Sequence, residues 1–384
     1  MKRLLCLIIT AVVLLLPFQV TAEAKGALTY DRAVALMNLN NGTLKSLERA
    51  ENDARKSYES NAEEAKNIDT EGFTINFGGE DYYIYYDPET KVYMKKAKEL
   101  YPEQLKFSWE ATSKNREITA NTLKTALRGV FLGVCSASAD IELKQKQLDL
   151  AVKVNNQDKL KLKRGLITSL DMQESDYNLT KAQNGLNAAK RNYENAVRSF
   201  NEFVGISAKT QYTDVIYEEK LSKQTWESVD YYIEQALNNR FDIVSLRKQL
   251  ALKEQEKGIT ESSYVYKNST TAQDEYETLL NDIEQLNMDI ESTKLSITDE
   301  IRNAYVDVIK AGKNVNSLSN TLKLQQSNYS KMQARYKAGM ISSNVLEQAE
   351  IGLMQVENGY KAALFDYNTR IMRFEYATGI GPGY

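Results

Sequence analysis

Apolar residues dominate positions that recur in alternating steps of three and four on both sides of Gly165 and Gly339. Before Gly339 these positions are Ile301, Ala304, Val308, Ala311, Val315, Leu318, Leu322, Gln325, Tyr329, Met332 and Tyr336. After it they are Leu346, Ala349, Leu353, Val356, Tyr360, Ala363, Tyr367, Arg370 and Phe374. A heptad of this kind predicts long helices that pack along a coiled-coil seam.

The length of these segments indicates the shape of the fold. A helix from about Thr271 to Lys337 would be about 100 Å long at 1.5 Å per residue. Because such a helix cannot form a globule, we expect it to lie antiparallel to the helix that follows the glycine turn. The predicted fold class is therefore mainly α, built from long helical hairpins.

The chain also contains an internal repeat. The segment from Lys163 to Ile206 reappears without a gap at Lys337 to Ile380, an offset of 174 residues. Identical pairs at this offset include Gly165 and Gly339, Ile167 and Ile341, Ser169 and Ser343, and Tyr193 and Tyr367. A register kept over this length predicts a tandem duplication. We place repeat 1 at residues 25–210 and repeat 2 at residues 211–384.

The two repeats are predicted to differ in their middles. Their opening segments, Tyr30–Ala65 and Trp226–Lys257, resemble each other weakly at an offset of 199, so the first repeat holds 25 additional residues. Within them Phe73, Ile75 and Phe77 alternate with polar residues, two glycines follow, and a tyrosine-rich run returns. This pattern predicts a small β-hairpin at about residues 73–94, in which Asp87-Pro88 breaks the returning strand.

The glycine turns have a local explanation. Gly165 and Gly339 follow basic residues, which suit a helix C-terminus, and glycine supplies the left-handed cap conformation. Thr168 or Ser169 in the first turn, and Ser342 or Ser343 in the second, can cap the returning helix. We predict helical-hairpin tips at residues 163–169 and 337–343.

Composition narrows the function. No proline occurs between Glu103 and Gly381, which favours long helices, and the net charge of −3 gives no reason to expect nucleic acid as a partner. Residues 1–24 read as a secretory signal peptide, with an uncleaved membrane anchor as the alternative. The chain is therefore predicted to be exported.

Catalytic and metal-site chemistry is not predicted. Histidine is absent, no phosphate-binding glycine loop occurs, and the carboxylates are spaced as helix surface. Cys135 lies in an apolar segment and is interpreted as a core residue rather than a nucleophile. We expect no catalytic residues, no cofactor, no metal ion and no enzymatic activity.

Two tandem copies of a helix, long helix, glycine turn and long helix, behind a signal segment, resemble the TolC outer-membrane efflux protein family. The strongest parts of the resemblance are the turns Lys-Arg-Gly-Leu-Ile-Thr-Ser and Lys-Ala-Gly-Met-Ile-Ser-Ser. The resemblance implies a homotrimer with a hollow periplasmic tunnel, an outer-membrane location, a membrane-fusion adaptor and an inner-membrane pump of the ABC or RND type. It implies tip docking through Arg164, Gly165, Leu166, Ile167, Ser169, Gly339, Met340, Ile341 and Ser343.

The chain departs from the family in two ways. The family normally has a strand pair in each half, whereas only the first half here has a convincing one. Family members also often carry acidic residues behind the tip, and Asp171, Glu347 and Glu350 are the candidates for tunnel-entrance carboxylates, with ordinary solvated helix charges as the alternative. The predicted function is a passive duct of a multicomponent export system. The alternative is an exported structural or adaptor coiled-coil protein of the cell envelope that lacks a complete barrel.

Overall fold

The structure is a computed structural model that describes residues 26–222, 225–262, 264–267 and 270–379. The predicted signal peptide at residues 1–24 lies outside the described residues. The chain is dominated by helices, as predicted. In chain order the first half contains α1 (Tyr30–Asn40), α2 (Gly42–Lys66), β1 (Gly72–Phe77), β2 (Glu80–Tyr85), α3 (Pro88–Lys95), α4 (Tyr101–Lys163) and α5 (Ser169–Val204). The second half contains α6 (Val229–Asn239), α7 (Phe241–Ser262), α8 (Thr270–Lys337) and α9 (Ser343–Gly379).

The long helices form two antiparallel hairpins that are joined side by side. α4 packs on α5, α8 packs on α9, and α4 also packs on α9. The long helices therefore lie in the order α5, α4, α9, α8, with α5 and α8 at the edges. The shorter helices cover this row, because α2 packs on α4, α7 on α8, and α6 on both α8 and α9.

Each hairpin has its own apolar core, as the heptad predicts. In the second half Ile297, Ile301 and Val308 of α8 pack in one cluster with Ile371 and Phe374 of α9. In the first half Phe131 and Val134 of α4 cluster with Phe200 of α5, and Phe365 of α9 joins them. Because Phe365 belongs to the second hairpin, this cluster also holds the two hairpins together.

The β-hairpin is shorter than predicted. β1 and β2 pair antiparallel, with Phe73 opposite Ile84 and Phe77 opposite Glu80, and the sheet ends at Tyr85. Pro88 to Met94, placed in the hairpin segment by the prediction, belong instead to helix α3. The Asp87 side chain accepts the backbone N–H of Thr90 and so caps α3, whose first residue is Pro88.

A short π-helical segment joins α3 to α4. Residues Lys96–Leu100 form this segment, and the N–H of Tyr101 bonds to the carbonyl of Lys96. Pro102 follows directly and has no N–H to donate, so the ordinary helical ladder is interrupted here. The helical path nevertheless continues, and it carries the chain from the β-hairpin down the length of α4.

Each predicted opening segment consists of two helices. The opening segment of the first half is interrupted at Asn41, and that of the second half at Arg240, 199 residues later. Asn41 caps α2 by accepting the N–H groups of Thr43 and Leu44. Arg240 is only 2% exposed and binds Asp242 and Glu300 through its guanidinium. In the second half a 3₁₀ turn at Val265–Lys267 stands where the first half has its β-hairpin.

Candidate docking site at the helical-hairpin tips

The first tip closes with a Schellman motif. The N–H of Gly165 bonds to the carbonyl of Leu162 at 2.9 Å, and the N–H of Leu166 bonds to the carbonyl of Lys161 at 2.9 Å. These two bonds satisfy carbonyls that the helix end would otherwise leave free. Gly165 has a φ of +69°, so the turn requires the left-handed conformation that glycine adopts most easily.

The second tip repeats this geometry. The N–H of Gly339 bonds to the carbonyl of Tyr336, and the N–H of Met340 bonds to the carbonyl of Arg335, both at 2.9 Å. Gly339 has a φ of +71°. Among the described residues, nothing lies within 4 Å of the place where a Cβ would stand at Gly165 or Gly339. Backbone conformation rather than space therefore explains the two glycines.

A capping box starts the returning helix in the first tip. The Thr168 hydroxyl accepts the N–H of Asp171 at 3.2 Å, and the Asp171 carboxylate accepts the N–H of Thr168 at 2.8 Å. These hydrogen bonds hold the pKa of Asp171 below its usual value. In the second tip α9 begins at Ser343, so Ser342 occupies the capping position and Val345 stands where Asp171 stands in the first tip.

Both tips expose apolar side chains. Leu166 is 68% exposed and Met340 is 74% exposed, although each directly follows its turn glycine. Ile167 and Ile341 are half-buried, Arg164 and Ser169 are exposed, and Ser343 is half-buried. The predicted docking residues thus form two exposed turns with an apolar side chain at the end of each.

Both tips lie at the same end of the molecule. Three contacts join α4 to α9 in antiparallel register: Lys146 with Glu350 at 2.9 Å, Lys153 with Glu347 at 2.5 Å, and Gln157 with Asn344 at 2.7 Å. The residue numbers rise along α4 as they fall along α9. When these contacts are followed toward the C-terminus of α4 and the N-terminus of α9, they end at Gly165 on one hairpin and Gly339 on the other. The two tips are therefore neighbours.

The candidate entrance carboxylates do not form one unpaired group. Glu347 and Glu350 each bind a lysine of α4, and the bond to Glu350 raises the pKa of Lys146. Asp171 is engaged in its capping box. The sequence held no signal for these pairs, because only the packing of α4 against α9 brings the lysines and glutamates together.

Polar contacts behind the tips were not predicted. Asn155 of α4 is buried and donates to Asp176 of α5 at 2.8 Å, with Ser175 also in reach at 3.4 Å. Asn155 thus fixes the register of the first hairpin about three turns before its tip. A single asparagine in a polar helix gives no sequence signal for burial, so this role depended on tertiary packing.

Other chemistry is sparse in the described part of the chain. Cys135 lies in the core, as interpreted from the sequence, and burial raises the pKa of its thiol to about 12. The described residues contain no group of three or more acidic or cysteine side chains able to hold a metal ion. None of the described helices is both long and apolar enough to span a membrane.

Solved structures resemble this fold along nearly its whole length. The outer membrane channel CmeC of Campylobacter jejuni matches 92% of this chain and 86% of its own, at 14% identity and a TM-score of 0.64. The open-state channel MtrE of Neisseria gonorrhoeae matches 91% of this chain and 89% of its own, at 14% identity and a TM-score of 0.60. The outer membrane protein VceC of Vibrio cholerae matches 92% and 96%, at 10% identity and a TM-score of 0.59.

The chain has the fold of these outer-membrane channels. No family model and no curated protein matches the sequence. The channel fold, which the TolC resemblance predicted, is therefore established by structural similarity at low identity, and it includes both helical hairpins. Of the three structures named above, CmeC and MtrE are described as outer membrane channels and VceC as an outer membrane protein.

Proposed function

We propose that this protein is the outer duct of a multicomponent export system, located in the outer membrane and periplasm and acting as a passive conduit. The observation that supports this proposal is structural similarity to outer membrane channels over 92% of the chain. The duct would be a trimer that docks through its tips on a membrane-fusion adaptor, which is tied to an inner-membrane pump of the ABC or RND type. Asp171, Glu347 and Glu350 would lie at the tunnel entrance.

An uncovered apolar stripe on α8 supports assembly with further copies. Its exposed members are Met288, Leu295, Val306 and Leu324, which are separated by 7, 11 and 18 residues and so share one helix face. The buried seam residues, such as Ile297 and Val308, lie about half a turn away around the helix. α8 therefore has exposed apolar side chains opposite its packed seam, on a face that also carries the charged residues Asp299, Arg302 and Lys313. In the described part of the chain only the seam side is packed.

The position of α8 at the edge of the row indicates what would cover its exposed apolar residues, namely α5 of a neighbouring copy. α8 and α5 are the two edges of the row of long helices, so neither has a long-helix neighbour on its outer side. In a closed ring of copies, the outer side of α8 meets the outer side of α5 from the next copy. A ring of this kind is hollow, because each helix packs laterally rather than around a solid core.

Oligomeric state and conductance test the duct. We expect the mature protein to behave as a trimer in detergent and to form conducting channels in planar bilayers. Leu295→Glu should break the trimer, because a carboxylate would be buried in the lateral contact. Leu39→Glu is the matched control, since Leu39 is 69% exposed and Leu295 is 70% exposed. A wild-type monomer both in detergent and in plain buffer would refute the proposal.

Docking has a separate test. Gly339→Val should strongly reduce export in cells while leaving the helix content by circular dichroism unchanged, because a β-branched residue resists the left-handed conformation that this turn requires. Export by Gly339→Val at the wild-type rate would argue against tip docking.

A second candidate function is a structural or adaptor protein of the cell envelope. Two observations favour it: each strand of the β-hairpin has six residues, and a 3₁₀ turn replaces the hairpin in the second half. This candidate predicts a water-soluble protein without conductance. The measurements in detergent and bilayers therefore separate the two functions.

A further inference from the structure

The tips carry a concentrated positive charge. Residues 159–170 and 331–345, which we call the tip segments, contain seven basic residues and no aspartate or glutamate. The basic residues are Lys159, Lys161, Lys163, Arg164, Lys331, Arg335 and Lys337. All seven are exposed. The chain as a whole has a net charge of −3, whereas the two tip segments together have a net charge of +7.

Most of these cations have no ionic partner. Lys161 pairs with Asp158 at 2.7 Å. Within the described part of the chain, the other six form no ion pair. Basic side chains near a helix C-terminus offset its partial negative charge, which is about half an elementary charge per helix. The ends of α4 and α8 together therefore account for only about one of the seven positive charges. Seven cations exceed, by about four charges, what the two helix ends together with the flanking Asp158 and Asp171 can balance.

The β-hairpin region, near the other end of α4 from the tips, is acidic, although Lys91, Lys95, Lys96 and Lys98 follow it directly. Residues 63–89, which include the β-hairpin, contain eight acidic residues and one lysine. Several of these carboxylates already have local partners: Glu71 binds Lys91, Asp69 accepts the hydroxyl of Tyr83, and Asp81 accepts the side chain of Asn76. Because they are engaged, the β-hairpin region of another copy is a poor partner for the tips.

Exposed apolar side chains alternate with the tip cations. Leu160, Leu162 and Leu166 interleave with the basic residues of the first tip, and Tyr336 and Met340 do so in the second. The two turns project separately from the ends of helices rather than forming one helix that could lie flat on a lipid surface. This arrangement fits a partner that offers small apolar pockets flanked by carboxylates.

We propose that the tips dock on a protein partner whose contacting end is acidic, with carboxylates that face Lys163, Arg164 and Lys337 and an apolar pocket that receives Leu166 or Met340. Charge complementarity of this kind speeds encounter and fixes orientation. The inference rests on the proposed function only for the choice of the tips as the docking end. A duct with a neutral partner would refute the inference and leave the proposed function intact.

Binding to designed probes tests the inference. The probes are two antiparallel helical-hairpin peptides that differ only beside their turn, where one has glutamates and the other has glutamines. The mature protein in detergent should bind the glutamate hairpin about tenfold more tightly than the glutamine hairpin at about 0.05 M NaCl, and this preference should largely disappear at about 0.3 M. Lys163→Gln/Arg164→Gln/Lys337→Gln should remove most of the preference.

The controls address folding and alternative partners. Lys45→Gln/Arg49→Gln/Lys56→Gln removes the same charge from exposed positions on α2 and should keep the preference. Vesicles of phosphatidylethanolamine and phosphatidylglycerol form a separate arm. Equal binding of the two hairpins, or tighter binding to the vesicles than to the glutamate hairpin, would overturn the inference. Trimer formation by the wild-type protein, measured in the same detergent, reports on the proposed function independently.

Discussion

The two halves of the molecule agree at their tips and differ at the other end. Both tips use a Schellman turn with a left-handed glycine, at φ values of +69° and +71°. At the helix breaks the halves use different chemistry, because Asn41 caps a helix whereas Arg240 is buried between two carboxylates. In the middles they differ altogether, with a β-hairpin in one half and, among the described residues, a 3₁₀ turn in the other.

This difference separates two kinds of constraint. A helical-hairpin turn is fixed by its own few residues, so the same residue types give the same backbone in both halves. A helix break or an insertion is fixed by what packs against it, and the two halves have different neighbours there. The tips are therefore alike in backbone although their side chains, such as Arg164 and Ala338, are free to differ.

The helix breaks give the largest expected difference between the halves. Arg240→Met should destabilise the protein by about 3 kcal/mol, because it leaves Asp242 and Glu300 without their shared cation in a partly buried site. Asn41→Ala at the equivalent break should cost about 1 kcal/mol, the usual loss of a helix cap. Urea unfolding of both variants measures the two costs. Equal losses would show that the buried ion pairs contribute no more than a cap.

Left-handed glycines provide the next test. Gly205, which ends α5 with a φ of +79°, lies in a crowded turn, whereas the tip turns are open. A Cβ at Gly205 would stand 2.7 Å from the backbone oxygen of Asn40, whereas at Gly165 it would meet no described atom within 4 Å. Gly165→Ala should cost about 1 kcal/mol from backbone strain alone. Gly205→Ala should cost about 2–3 kcal/mol, because overpacking adds to the strain. Similar shifts in melting temperature would contradict this distinction.

The capping residues give the smallest effect. Asp171→Asn should slightly destabilise the first tip and Val345→Asp should slightly stabilise the second tip, because each changes the third position of its helix. Hydrogen exchange of amides in the first turns of α5 and α9 measures both changes. Unchanged exchange in both variants would exclude a role for capping at the tips.

The capping box also predicts a pH dependence that only the first tip should show. The pKa of Asp171 in the folded protein is lowered by its bonds to Thr168. Its contribution is therefore fully present above the ordinary aspartate pKa of about 4 and is lost as the pH falls through the lowered value. Amide exchange at the start of α5, corrected for its intrinsic pH dependence, should increase in that acidic range, whereas Asp171→Asn should abolish the increase.

The sequence predicts some features of the fold correctly and leaves others undetermined. The heptads and the single run from Thr271 to Lys337 predicted a helix that the structure shows as Thr270–Lys337. The returning strand ends before Asp87-Pro88, where the sequence predicts a break, but the helix that Asp87 and Pro88 begin there was not predicted. The docking residues and entrance carboxylates remain predictions about partners. Their surroundings are now known, and Glu347 and Glu350 have lysine partners that the sequence analysis did not assign.

The sequence by itself determined the features that depend on neighbouring residues: helix period, helix length, left-handed turns and the charge of the tip segments. These features follow from local backbone conformation and composition, which distant parts of the chain do not alter. The tertiary structure decided which side chains share a site and which faces remain uncovered. The burial of Arg240, the pairing of Lys153 with Glu347 and the open apolar stripe of α8 all depend on contacts between residues far apart in the chain. No local pattern encodes such contacts, because they arise only when the hairpins pack side by side.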